Sequence, residues 1–400
     1  MISLFKFNFI TLLFLFIFKS IALPQFITKD NKEIMEKAYE GIEYIYKVKP
    51  QKAAEKFKQL ITKYPAHPFG HFGLAMSKWA ELEYLEEESS PKLYEEYHNL
   101  TEKAIEVGKR WVENNPDDAN AYMCLGGTYG LGARLYVMQH SWLKAYLSGR
   151  KAVKYMKKSL EIDPELYDAY LGLGLWEYSA GTLPGVIKWL AKLITGGDAK
   201  KGIDYLKLCA EKGRFNVTAS KLLLIEIWTQ TDSKYSNPKL AVQWAKELIK
   251  KYPNLAQMQF VLIVALYEAK EYDEAEKEML EYERRISEGM ESYYPKFYPR
   301  IYVSLGTLYM MRSNYDKALD YFSKARDFIK KEEHPTRWSV WGVARIGNIY
   351  DLKGMREKAI EAYKEALGYK DQWGFKEYIE QYLKKPFSLS MYIATQLPPP

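Results

Sequence analysis

Two histidines four residues apart invite the first chemical question. His67 and His71 stand in the run HPFGH. A four-residue step puts two side chains on one helix face, as a metal site would need. A zinc protease helix reads H-E-x-x-H, whereas here Pro68 follows the first histidine and no acid lies between the two. Pro68 instead marks a helix start. The pair therefore reads as ordinary surface or capping histidines, and no metal site is expected. His98, His140 and His334 are scattered. The run GGTYGLGAR (Gly126, Gly127, Gly130, Gly132) has the glycine content of a phosphate loop. No G-K-[ST] follows it and no strand pattern precedes it, so close helix packing is the expectation. GGDAKKG fails the same test, and no G-x-S-x-G nucleophile turn occurs. Acid pairs such as Glu86-Glu87 and Glu332-Glu333 sit in solvated charge runs. The reading is of a chain without a catalytic site and without a cofactor.

Charge and cysteine point the same way. Lys and Arg total 58 and Asp and Glu 51, so the net charge of +7 is small for 400 residues. The lysine pairs 157–158, 250–251, 330–331 and 384–385 fall toward the ends of helical patterns, where cations complement the helix dipole. No Arg-rich pattern interleaved with aromatics appears, so no nucleic-acid partner is expected. Cys124 and Cys209 each lie on the apolar side of a helical pattern and read as buried, unpaired thiols.

The elements that would position any site are helices, and they repeat. In YVSLGTLYMMRSNYDKALDYFSKARDF and VARIGNIYDLKGMREKAIEAYKEALGY, Gly306 and Tyr309 match Gly347 and Tyr350. Ala318, Phe322 and Ala325 match Ala359, Tyr363 and Ala366 at identical spacing. Weaker copies run back along the chain, through Gly41, Tyr44, Ala53 and Phe57 at the start. About eight copies span 34–373, with insertions near 131–150 and 182–198 that break the period. The small residues belong where helix axes approach closely, and the aromatic ones are expected to fill wider spaces between neighbouring hairpins. Proline, as in Asp163-Pro164 and Tyr252-Pro253, stops the second helix. The 34 Tyr and 10 Trp then serve mostly as packing.

This spacing resembles the tetratricopeptide repeat, whose unit is two antiparallel helices repeated every ~34 residues. The resemblance implies an all-α, right-handed superhelical solenoid of helix hairpins. It also implies a protein or peptide partner held in a concave groove lined by the first helices. Positions counted from the motif glycine place Val303, Thr307, Met310 and Met311 in that groove, followed by Ala344, Asn348, Asp351 and Leu352 one copy on. Asparagines and lysines at such places clamp a free C-terminus in one subclass. Only Asn348 is present here, so an internal segment held by apolar anchors is expected.

The two ends carry further expectations. Residues 1–22 join Lys6, an apolar run from Phe7 to Phe18 and the small pair Ser20 and Ala22. That is the build of a signal peptide cleaved after Ala22, which makes the mature chain soluble and exported, periplasmic or extracellular; an uncleaved membrane anchor is the alternative. Residues 23–33 read as a linker, 374–394 as a solvating cap helix and 395–400 as a disordered tail. In the 182–198 insertion, Val186, Ile187, Trp189, Leu190 and Leu193 form an apolar stripe that packs on the array or dips into a membrane surface. The functional expectation is a non-catalytic scaffold or adaptor of the cell envelope. An envelope enzyme acting on polysaccharide and a membrane-surface protein are the alternatives.

Overall fold

A computed structural model describes residues 29–84, 91–139, 141–182, 197–230, 233–331, 335–369, 375–391 and 397. The signal-like residues 1–22 and most of the 182–198 insertion lie outside the described residues. Seventeen α-helices are described, and there is no strand among the described residues.

They pair in order. The first hairpin is α1 (Lys29–Tyr46) with α2 (Pro50–Lys63), the second α3 (Pro68–Tyr84) with α4 (Pro91–Asn114). Next come α5 (Ala119–Met138) with α6 (Trp142–Ile162), and α7 (Tyr170–Thr182) with α8 (Ala199–Lys212). Then follow α9 (Val217–Thr229) with α10 (Pro238–Lys251), and α11 (Ala256–Glu268) with α12 (Tyr272–Ser287). The last pairs are α13 (Tyr298–Met311) with α14 (Tyr315–Phe328), and α15 (Arg337–Leu352) with α16 (Arg356–Leu367). A single helix, α17 (Lys376–Lys384), follows. It is shorter than the 374–394 read from the sequence, because Lys385 is extended ahead of Pro386. Each hairpin packs on the next, giving an all-α solenoid of tetratricopeptide-type units.

Local signals set the boundaries. Asp118 caps α5 by accepting from the Ala121 N–H at 2.9 Å, and Asp198 caps α8 through Lys200 and Lys201. Thr336 and Ser339 form a reciprocal cap on α15. The insertion near 131–150 lengthens both helices of its hairpin, to 20 residues in α5 and 21 in α6.

The motif glycines meet the motif aromatics inside each hairpin. A Cβ on Gly306 would lie 2.5 Å from the Phe322 ring, and one on Gly347 would lie 2.4 Å from Tyr363. Gly41 and Phe57 repeat the arrangement at 2.5 Å. These rings therefore seat on the bare backbone of their own first helix, and Phe57 also fills the space to the next hairpin, where a Cβ on Gly73 of α3 would lie 2.1 Å from its ring. The second helices are amphipathic: α14 buries only Ala318, Phe322 and Ala325. The first helices are more enclosed, and in α15 each residue from Trp338 to Ile349 is buried.

Two long-range closures explain that enclosure. The first hairpin returns to the middle of the array: Tyr46 Oη donates to the Phe215 carbonyl at 3.3 Å, and Lys49 pairs with Glu291 at 2.7 Å. The Tyr39 and Phe69 rings pack on Phe215 at 6.3 and 5.8 Å. Farther along, Phe260 of α11 meets Trp338 of α15 edge to face at 5.6 Å. These two helices belong to hairpins with α13 between them.

Candidate binding groove

The eight positions assigned to the groove come together on α13 and α15, but most point into the protein. Val303, Thr307, Met310, Ala344 and Asn348 have no exposed surface. Met311 and Leu352 are partly buried. Thr307 Oγ1 donates back to the Val303 carbonyl at 2.7 Å, within its own helix. Asn348 Nδ2 donates to the Tyr363 hydroxyl at 3.0 Å. The Asp351 side chain is fully buried and accepts from Arg356 Nη1, from Tyr363 Oη at 2.9 Å and from the Phe387 N–H at 2.8 Å. The expectation of an open groove at these residues is thus corrected for this structure. The Phe260–Trp338 contact draws α11 and α15 together, and chain beyond α17 packs against the same layer.

That returning chain is a feature the sequence reading missed. Phe387 is 3% exposed and bonds Asp351, while Leu397 is 4% exposed. The Leu397 N–H donates to Glu268 Oε1 at 2.9 Å, at the end of α11. Leu389 and Met391 pack on the main core between those two points.

Arg345 was missed as well. Its guanidinium is completely buried, 5.3 Å from the Trp341 ring centroid and 3.5 Å from Asn348 Oδ1. Nε and Nη2 have no hydrogen-bond partner, and no described acid pairs with it. Burial pulls its pKa down, opposed only weakly by the hydroxyls of Tyr382, Tyr267 and Tyr363. Arg300 sits likewise between Phe260 at 4.4 Å and Phe297 at 4.3 Å, donates to the Tyr282 hydroxyl and leaves Nε unpaired. A lone arginine in the apolar run WSVWGVARIGNIY was the available signal for Arg345. Spacing from the motif glycine drew attention to Asn348 instead. α13 and α15 thus bury two guanidinium groups among aromatic rings, with Nε of each and Nη2 of Arg345 unpaired.

Other titratable groups join elements. His67 is 5% exposed, not a surface residue; its ring stacks on Phe69 at 5.6 Å and meets Trp111 edge-on at 4.8 Å. It does cap α3, with Nδ1 3.3 Å from the Phe69 N–H, and burial lowers its pKa to about 4. His71 Nε2 lies 2.9 Å from the Pro65 carbonyl. Buried Asp168 accepts the N–H groups of Arg214, Phe215 and Asn216; burial raises its pKa and those bonds oppose the shift. Both cysteines are free and buried, and burial pushes the Cys209 thiol up to about 12. Among the described residues no group of three or more His, Cys, Asp or Glu is placed to hold a metal. No described helix is long and apolar enough to cross a membrane.

No family model and no curated protein matches the chain. Solved structures do. The chain is similar to a structure of the APC/C hetero-tetramer Cut9–Hcn1, with 13% identity and a TM-score of 0.42, over 88% of this chain and 63% of that one. This chain thus spans less than two thirds of that relative. Yeast Tom70 gives 14% identity and a TM-score of 0.40, over 88% and 81% of the two chains. A tetratricopeptide repeat protein from Parabacteroides merdae gives 15% and 0.32, over 89% and 98%.

Proposed function

We propose that this chain is a non-catalytic interaction scaffold, exported to the cell envelope, whose inner layer of first helices receives an extended internal segment of a protein partner. The observation that carries this reading is the seating of Leu397. Leu397 already lies on that layer, its apolar side chain buried and its backbone N–H donated to Glu268. A partner held in the same way would place an apolar anchor where Leu397 sits and a backbone N–H on Glu268. Export rests on residues 1–22, and mass spectrometry of the secreted chain, finding Leu23 first, would support it.

The binding test compares the full chain with a version ending at residue 391, both probed with a library of extended peptides. Removing Leu397 in this way should raise affinity and shift selected peptides toward apolar anchors. Tyr267→Ala in the shortened chain should lower it again. Equal binding by the full and shortened chains would place the partner site elsewhere.

A further inference from the structure

From Ala119 to Leu160 the sequence holds no Asp or Glu and seven Lys or Arg. The whole chain carries 51 acids in 400 residues, so chance would place about five in a stretch of that length. The charge of this one segment equals the +7 of the entire chain. The segment is the long hairpin α5–α6, and its tip is apolar. Trp142 is 63% exposed, Leu143 71%, Leu147 48% and Val137 45%.

The helix pattern shows what each face does. α6 buries Ala145, Ser148, Gly149, Met156 and Ser159 against the array. The opposite face carries Leu143, Leu147, Arg150 and Lys154, at steps of four, three and four residues. Lys144 lies 5.8 Å over the Tyr136 ring and Arg150 5.9 Å over Tyr146. Their stems run along apolar surface while their charges stay in water. The helix dipole does not account for these cations. Lys144 stands in the first turn, where positive charge is unfavourable, and Arg150, Lys151 and Lys154 are in mid-helix. Other second helices mix their charges, as YDEAEKEMLEYERRIS does in α12.

We propose that the α5–α6 tip docks on an anionic lipid bilayer surface. Trp142, Leu143 and Leu147 enter the boundary between headgroups and acyl chains, and Lys144, Arg150, Lys151 and Lys154 meet lipid phosphates. The match is one of complementarity. The face offers bulky apolar groups and cations, and its opposite number is a surface apolar within and negative without. The membrane contact expected at Trp189 lies outside the described residues and plays no part in this proposal. It is also independent of the inner layer, and its failure would leave the groove reading standing.

The test uses the chain lacking residues 1–22, so that the signal-like segment cannot itself anchor it. Co-sedimentation is measured with phosphatidylcholine vesicles and with vesicles containing about one third phosphatidylglycerol, whose negative surface potential attracts basic segments. Binding is expected to the anionic vesicles only, and to weaken as salt shortens the Debye length. Trp142→Glu with Leu143→Glu should abolish it, and Lys144→Glu with Arg150→Glu should reduce it at least ~10-fold. All four residues are exposed, so circular dichroism should be unchanged. Wild-type chain left in solution with both vesicles, or binding that survives Trp142→Glu with Leu143→Glu, would overturn the proposal. So would a lipid-free dimer in sedimentation analysis that these two changes dissociate, since the tip would then join two copies of the chain.

Discussion

Glu43 and Lys251 form an ion pair at 3.0 Å although 208 positions separate them in the chain. Tyr252 Oη donates to the same carboxylate at 3.2 Å and lies 2.9 Å from Thr218 Oγ1. One acid on α1 thus gathers donors from the end of α10 and ties the first hairpin to the middle of the array. The Glu43 side chain is 18% exposed, which limits screening by water. Glu43→Ala should cost about 1–2 kcal/mol, below the ~1.5–3 kcal/mol of a hydrogen bond to a charged group because the Lys251 side chain is 43% exposed. Lys200→Ala, which removes an exposed pair within one helix, should leave the denaturation midpoint where it is. Equal midpoints for both variants would mean the closure contributes nothing.

A pH dependence follows from His67. Its folded pKa of about 4 lies below the ordinary 6.5, because burial disfavours the imidazolium. Between those values the unfolded chain binds more protons than the folded one, so stability increases with pH across that window. The contribution is present above about 6.5, is lost as pH falls toward 4, and amounts to at most about 3 kcal/mol. His67→Gln keeps an acceptor for the Phe69 N–H but does not titrate. Wild type should be the more stable at pH 7.5, with the gap closing by pH 4.5. A gap of constant size would refute the assignment.

Arg345 carries a charge with no acid paired to it among the described residues, and burial of such a charge is costly. Arg345→Met keeps most of the volume and removes the charge. It should raise the unfolding midpoint, on the order of 1 kcal/mol or more, by the logic that well-packed apolar replacements of buried ions are often stabilising. A loss of stability would show that the guanidinium has an acceptor in solution.

How much of this was legible depended on sequence separation. The pairing of Gly306 with Phe322 lies within one hairpin, so spacing alone revealed that the two belong to one motif. It did not reveal that the ring sits on its own hairpin's glycine. The α5–α6 extension was visible as a break in the period. The long-range closures are of another kind. Glu43 with Lys251, Phe260 with Trp338 and Glu268 with Leu397 join residues far apart, and no periodicity encodes how tightly an array curls. Val303, Thr307 and Met310 were therefore read as groove residues, while the packing that buries them stayed hidden. Arg345 was overlooked because its position relative to the glycine carried no expectation.

The repeat geometry makes a prediction in which one substitution has opposite signs at two sites. A Cβ on Gly306 would meet Phe322 ring atoms at 2.5, 2.6 and 2.9 Å. Phe322 is fully buried, so its ring has little room to retreat. Gly306→Ala should therefore destabilise by about 1–3 kcal/mol, as overpacking does. Ala318→Leu and Ala359→Leu, at wholly buried positions of the same motif, should do likewise. Gly130 lies in the interior of α5, and nothing comes within 4 Å of a Cβ built there. Gly130→Ala restricts the unfolded backbone and should stabilise by roughly 1 kcal/mol, the helix-propensity difference between the two residues. Urea midpoints of the two glycine variants should move in opposite directions. Movement in the same direction would mean that Gly306 is not at a helix crossing, and the hairpin geometry assigned to the motif would fall with it.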